Sequence, residues 1–182
     1  MPSPRFVPIA AASFLAALLT IAAAKAEMLQ FSTPDGTKSW PKLPDIPDWH
    51  QDQELSMKLG ANFLVPDGAD PLAAPATIQA RGYARGGGTA SLSQLMDKDR
   101  AAAANHEIVK RPDVYDRDST PFSMVAFAPA GGQAGNWKAM AYSEEGDYFL
   151  VFTLEAKSKA AYDKNLPVFT ALIQKYAKDI PW

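Results

Sequence analysis

The chain contains no cysteine among its 182 residues and only two histidines. The first absence excludes disulfides, thiolate metal centres, a cysteine nucleophile and a lipid carried on an N-terminal cysteine. The second leaves few bases for nucleophilic chemistry. His50 stands beside Trp49 in a proline-rich stretch, and His106 falls at the end of a predicted helix, where the helix dipole accounts for it without any chemistry. A basic excess is missing too: 18 Lys and Arg against 20 Asp and Glu give a net charge of −2, the wrong sign for nucleic acid. There is no G-x-S-x-G turn. Gly86-Gly87-Gly88 precedes a helix, but no Lys-Ser/Thr follows and the spacing is not that of a dinucleotide loop, so it reads as a flexible connection. Asp113, Asp116 and Asp118 lack the central glycine and distal glutamate of a calcium loop and carry Arg117 in their midst, and Asp67 with Asp70 is weaker still. These read as solvated turns, and neither a metal nor a cofactor is expected.

What the chain does have is an export signal. Arg5 is the only charge before Lys25, and an uncharged stretch between them carries Ile9, Phe14, Leu15, Leu18, Leu19 and Ile21. Ala24-Lys25-Ala26 is the small-x-small triplet after which signal peptidase cuts, leaving Glu27 first. The stretch is dominated by alanine and interrupted by Pro8, which argues for cleavage over a lasting membrane anchor. Residues 1–26 are therefore expected to be a signal peptide. Removal of Arg5 and Lys25 takes the net charge from −2 to −4. The expected address is the periplasm or the medium.

Residues 27–50 form a proline-rich leader, with Pro34, Pro41, Pro44 and Pro47 too frequent for a helix or a central strand. Trp40, Ile46 and Trp49 predict that it lies against the domain. Residues 51–182 are long enough for one domain. Leu55, Met57 and Leu59 alternate with Ser56 and Lys58, and Phe63-Leu64-Val65 follow Gly60, which predicts a bent strand or two short ones. Residues 77–85 alternate again, with Ile78, Ala80, Gly82 and Ala84 inward.

Ser91 and Gln94 stand at capping-box spacing and open a helix. Its apolar stripe is Leu92, Leu95, Met96, Ala102 and Ala103, with Asp99 falling on the stripe, so packing is expected over the first two turns only. Residues 108–115 predict a weak edge strand because of Pro112, and residues 122–128 a firmer one. Trp137 to Tyr142 and Tyr148 to Leu154 form a hairpin around Glu144-Glu145-Gly146, expected as a three-residue loop with a bulge. Tyr148 to Phe152 is apolar at both parities and should be covered on both faces. Tyr162, Leu166, Phe169, Ile173 and Tyr176 share one helical face, and Pro167 predicts a kink or a second segment. Phe149, Val151, Phe152, Phe169 and Ile173 are expected to be buried together.

The resulting order, β-β-α-β-β-β-β-α, is α+β with a central antiparallel sheet flanked by helices. That order, with Gly135-Asn136-Trp137, the Glu144-Glu145-Gly146 hairpin, the strand from Phe149 to Leu154 and the closing helix, resembles the PsbP-like family. The resemblance covers roughly residues 50–180 and includes small exported bacterial proteins, often lipid-anchored, an anchor this cysteine-free chain cannot carry. It implies a non-catalytic binding or assembly role.

For a binding face the residues themselves offer Arg81, Tyr83 and Arg85, which alternation places on one side of a strand. Two guanidinium groups around an aromatic ring suit an acidic partner, such as another envelope or secreted protein. The competing expectation is an envelope hydrolase with an acidic site drawn from Glu144, Glu145 and Asp147.

Overall fold

A computed structural model describes residues 28–33, 36–86, 88, 91–103, 106–110, 122–132 and 135–179. The expected cleavage residues Ala24, Ala26 and Glu27, and the aspartates 113, 116 and 118, lie outside the described residues. The fold is α+β and its strands pair antiparallel throughout. The strands are β1 (Met28–Thr33), β2 (Gly36–Pro41), β3 (Trp49–Gln51), β4 (Asn62–Pro66), β5 (Ala76–Ala84), β6 (His106–Lys110), β7 (Ser123–Pro129), β8 (Trp137–Glu145) and β9 (Tyr148–Ala156). The helices are α1 (Gln53–Leu59), α2 (Leu92–Ala102) and α3 (Lys159–Asp179). Seven strands make one sheet in the order β3-β4-β5-β9-β8-β7-β6, and β1 with β2 makes a separate hairpin.

Because side chains alternate along a strand, the sheet has two distinct faces. On one, Ile78 and Ala80 of β5 and Leu150, Phe152 and Leu154 of β9 pack with Phe169, Leu172, Ile173 and Tyr176 of α3. On the other, Phe149 and Val151 of β9 join Val125, Phe127, Tyr142 and Leu95 of α2. The strand covered on both faces is therefore β9, as its sequence predicts. The five residues expected to be buried together are all buried, but in two layers: Phe149 and Val151 lie beneath α2, not α3. A period of two along β9 requires that division.

Several local expectations are corrected. Leu55, Met57 and Leu59 belong to helix α1, not a strand. Asp52 caps it by accepting from Leu55 N at 2.8 Å, and Gly60 closes it in the left-handed conformation (φ 63°). The leader is irregular only in part: Met28 pairs with Pro41 and Leu29 with Trp40, with Pro41 ending β2, while residues 42–46 have no regular secondary structure. Trp40 is buried and stacks on Phe31 at 4.2 Å between ring centres, so the leader does lie on the domain. The β8–β9 loop has two residues, Gly146 and Asp147, because Glu145 pairs with Tyr148. Gly146 supplies a positive φ of 53° at the first loop position, where a two-residue hairpin uses glycine.

Helix α3 runs unbroken through Pro167, which is exposed, so no second segment starts there. Ser158 precedes it and accepts from Ala161 N with its hydroxyl. His106 opens β6 rather than ending α2, and its amide donates to Ala103 O at 2.8 Å. The dipole argument therefore does not apply to it. Among the described residues no helix is long and apolar enough to cross a membrane.

Candidate functional site

The side chains of Gln79, Arg81 and Tyr83 project from β5 on the face that α2 covers elsewhere. Register places Arg81 beside Val151, Gln79 beside Thr153 and Tyr83 beside Phe149. The next strand adds Met140 opposite Thr153 and Tyr142 opposite Val151. Helix α2 meets this layer at β8, while on β5 Gln79 and Arg81 stay half-buried and Tyr83 is exposed. The space left between them is a cavity of about 210 Å³ lined by Gln79, Arg81, Tyr83, Asp99, Lys138, Met140, Val151, Thr153 and Glu155.

The three residues singled out from the sequence share this face but not one environment. Arg85 pairs with Glu144 at 2.6 Å and lies over the Phe149 ring, 5.1 Å from its centre. Such a half-exposed pair is worth about 0–1 kcal/mol, and it neutralises Arg85 locally. Arg81 differs. Among the described residues its side-chain hydrogen-bond partner is a neutral oxygen, Gln79 Oε1, at 3.4 Å. Tyr83 lines the same cavity and a larger, open one of about 530 Å³ beyond it, which Arg81, Gly82, Ala84, Tyr148 and the β2 residues Thr37, Lys38 and Ser39 also border.

Opposite Arg81 stands Asp99, which the sequence presents only as an interruption of the α2 stripe. Its half-buried carboxylate accepts from Tyr142 Oη at 3.0 Å. Burial raises its pKa above the ordinary 3.8, against the opposing effects of the Tyr142 hydrogen bond and the Lys98 and Arg81 charges. Burial and the neighbouring carboxylate likewise push the Tyr142 phenol far up, so it stays a donor at any ordinary pH. Leu92 and Met96 pack on the layer around Leu95 and Ala103 joins it at the C-cap, while Arg100, Ala101 and Ala102 are exposed, so within the helix α2 packs over its first two turns, as expected. Lys138 and Glu155 face each other at 3.4 Å, and Glu155 also accepts from Asn136 Nδ2 at 2.6 Å, so this pair is internally neutralised.

The acidic set proposed for hydrolysis is not assembled. Glu144 and Glu145 are adjacent in β8 and point to opposite faces, Glu144 to Arg85 and Glu145 into the α3 layer, where it accepts from Tyr176 Oη at 3.0 Å. Asp147 sits exposed in the loop, and its carbonyl receives Arg85 N at 2.8 Å. His50 pairs with Asp67 at 2.8 Å on the surface, remote from these groups in the sheet. Among the described residues no three His, Asp or Glu side chains gather as metal ligands do.

Sequence reasoning missed Asp99, Lys138 and Glu155. Only Asp99 left a signal, a carboxylate on an apolar helical stripe; the other two enter the site solely through strand register. Comparison with known proteins finds no family model and no curated protein that matches the chain.

Proposed function

We propose that the chain is an exported, non-enzymatic binding or accessory protein of the cell envelope, periplasmic or secreted, whose binding face is the uncovered part of the sheet around Arg81 and Tyr83. The observation that carries this reading is Arg81 itself. A guanidinium on the wall of a cavity, hydrogen-bonded among the described residues to a neutral amide oxygen 3.4 Å away, retains its capacity for a bidentate anion. The net negative charge of the chain makes that cation stand out against its surroundings. Export rests on Arg5, the uncharged stretch after it and Ala24-Lys25-Ala26. The resemblance to PsbP-like proteins supports a role in assembly or binding by analogy. The partner is another envelope or secreted protein that presents an acidic group to this face.

A photo-crosslinking side chain in place of Tyr83, tested in exporting cells, should give a discrete adduct. The same group in place of Leu72, which is 81% exposed beyond the opposite end of β5 and about 20 Å or more away at strand rise, should not. Equal adducts at both positions, or none at Tyr83, would refute the assignment of the face.

A further inference from the structure

Arg81 and Asp99 are opposite charges on one small cavity, yet among the described residues neither is in a direct ion pair. The Arg81 side chain hydrogen-bonds the Gln79 amide and the Asp99 side chain the Tyr142 phenol, while the two charges act on each other, with Lys98 adding to the field at Asp99, without touching. The other two charges on the wall, Lys138 and Glu155, already neutralise one another. The cavity therefore presents a cation and an anion that are not in direct contact to the same bound molecule. A simple anion would satisfy Arg81 and be repelled by Asp99, and a simple cation would do the reverse. Only a molecule carrying both signs answers both groups.

The remaining lining limits its size and character. Met140 and Val151 give an apolar floor, while Gln79 and Thr153 add neutral hydrogen-bonding groups at its side. A volume of about 210 Å³ equals roughly seven waters at their liquid volume. That is room for a molecule on the order of ten heavy atoms, with space for one short aliphatic chain.

From this arrangement we infer that the cavity binds a small zwitterion, a free α-amino acid with an aliphatic side chain: its carboxylate on Arg81, its ammonium group on Asp99 and its side chain over Met140 and Val151. The guanidinium offers the planar fork that a carboxylate takes bidentately. Tyr142 holds the Asp99 carboxylate in place by donating to one oxygen, which leaves the second oxygen to receive an ammonium group. No covalent step is involved. The inference rests on the reading of this face as the binding surface, and adds the chemical class of what the cavity holds.

The probes are free valine, valinamide and N-acetylvaline, titrated into the full exported chain and followed by NMR at the Met140 and Val151 methyl groups and by calorimetry. Valine should give saturable shifts. Valinamide, which lacks the carboxylate, and N-acetylvaline, which lacks the ammonium group, should each bind about tenfold or more weakly. Arg81→Met should bind valine and valinamide equally weakly, and Asp99→Asn should do the same for valine and N-acetylvaline. Both substitutions leave the core intact, and unchanged methyl signals from Leu172 and Ile173 confirm that the variants are folded. Equal binding of all three probes, or no saturable shift with valine at millimolar concentration, overturns the zwitterion assignment. If valine fails while the Tyr83 crosslink still forms, the ligand class falls and the binding face stands. Failure of both removes the face as well.

Discussion

Replacing Phe152 by alanine tests the two-layer architecture at its centre. Phe152 is fully buried in β9, with edge-on neighbours Phe122 at 5.5 Å and Tyr176 at 5.0 Å between ring centres. Truncating a buried phenylalanine removes its transfer free energy and leaves a cavity, together about 3–5 kcal/mol. Two aromatic partners place this site towards the upper end, because each such pair adds about 0.5–1.5 kcal/mol beyond area burial. At about 2–4 °C per kcal/mol for a chain of this size, the melting temperature should fall by roughly 6–20 °C. Urea denaturation gives the free energy directly, with Leu72→Ala as an exposed control expected within about 0.5 kcal/mol of the parent.

The layers are then separated by coupling. Phe149→Ala should couple with Leu95→Ala by about 0.5 kcal/mol or more and be nearly additive with Ile173→Ala. Phe152→Ala should show the opposite pattern, because Ile173 shares its layer and Leu95 does not. A small loss at Phe152, or coupling of Phe149 to Ile173, would refute the register of β9.

Three further outcomes are expected. Asp99 has a raised pKa in the folded chain, so the folded state holds its proton more tightly than the unfolded state and stability falls as pH rises from about the ordinary 3.8 through the raised value. Subtracting the Asp99→Asn stability curve from that of the parent should expose this decline, and a difference that is flat or rising with pH contradicts the burial of Asp99. A Cβ on Gly82 would run into the terminal methyl group of Met28, a flexible end that can give way, so Gly82→Ala should cost no more than about 1 kcal/mol, whereas the bulkier Gly82→Val should also push on the β1–β2 hairpin and expose it to proteolysis; unchanged cleavage rates in the valine variant would mean that the hairpin does not rest on β5. Protein recovered after export should have the intact mass of residues 27–182, and full-length chain in the membrane fraction would show that cleavage after Ala26 does not occur.

Much of the domain was legible from periodicity alone, wherever a period had a buried face to express. β5 alternates as expected from Ala76 to Arg81, with Ala76, Ile78 and Ala80 buried, but Gly82 is half-buried and Ala84 exposed, and β9 is apolar at both parities because helices cover both sides. The face of α3 reads directly as Tyr162, Phe169, Ile173 and Tyr176. Residues 55–59 misled because three alternating apolar residues mimic a strand. Met57 and Leu59 are in fact exposed, and the only buried residue of α1 is Ser56, which accepts Phe63 N at 2.9 Å. Asp52 and Gly60 were the better guides there, since caps fix a short helix when its apolar pattern says little. The leader's prolines hid a hairpin because Pro41 falls at a strand end, where the missing N–H costs nothing.

The candidate site was half visible. Arg81 and Tyr83 follow from alternation within β5, but the loss of Arg85 to Glu144 depends on a residue 59 positions away. Asp99 meets Tyr142 across 43 positions. No local pattern encodes either meeting.

The most direct test of the binding face is capture from an envelope extract by residues 27–182 and by their Arg81→Glu variant, with both melting temperatures measured. Arg81 alone is reversed, because reversing Arg85 would also break its pair with Glu144. The predicted result is a partner retained by the parent and lost by the variant, with the variant still folded and less stable by no more than about 1 kcal/mol, since the reversed charge faces the half-buried Asp99. A partner held equally by both would contradict the claim, and the Arg81 face would then be an ordinary solvated one.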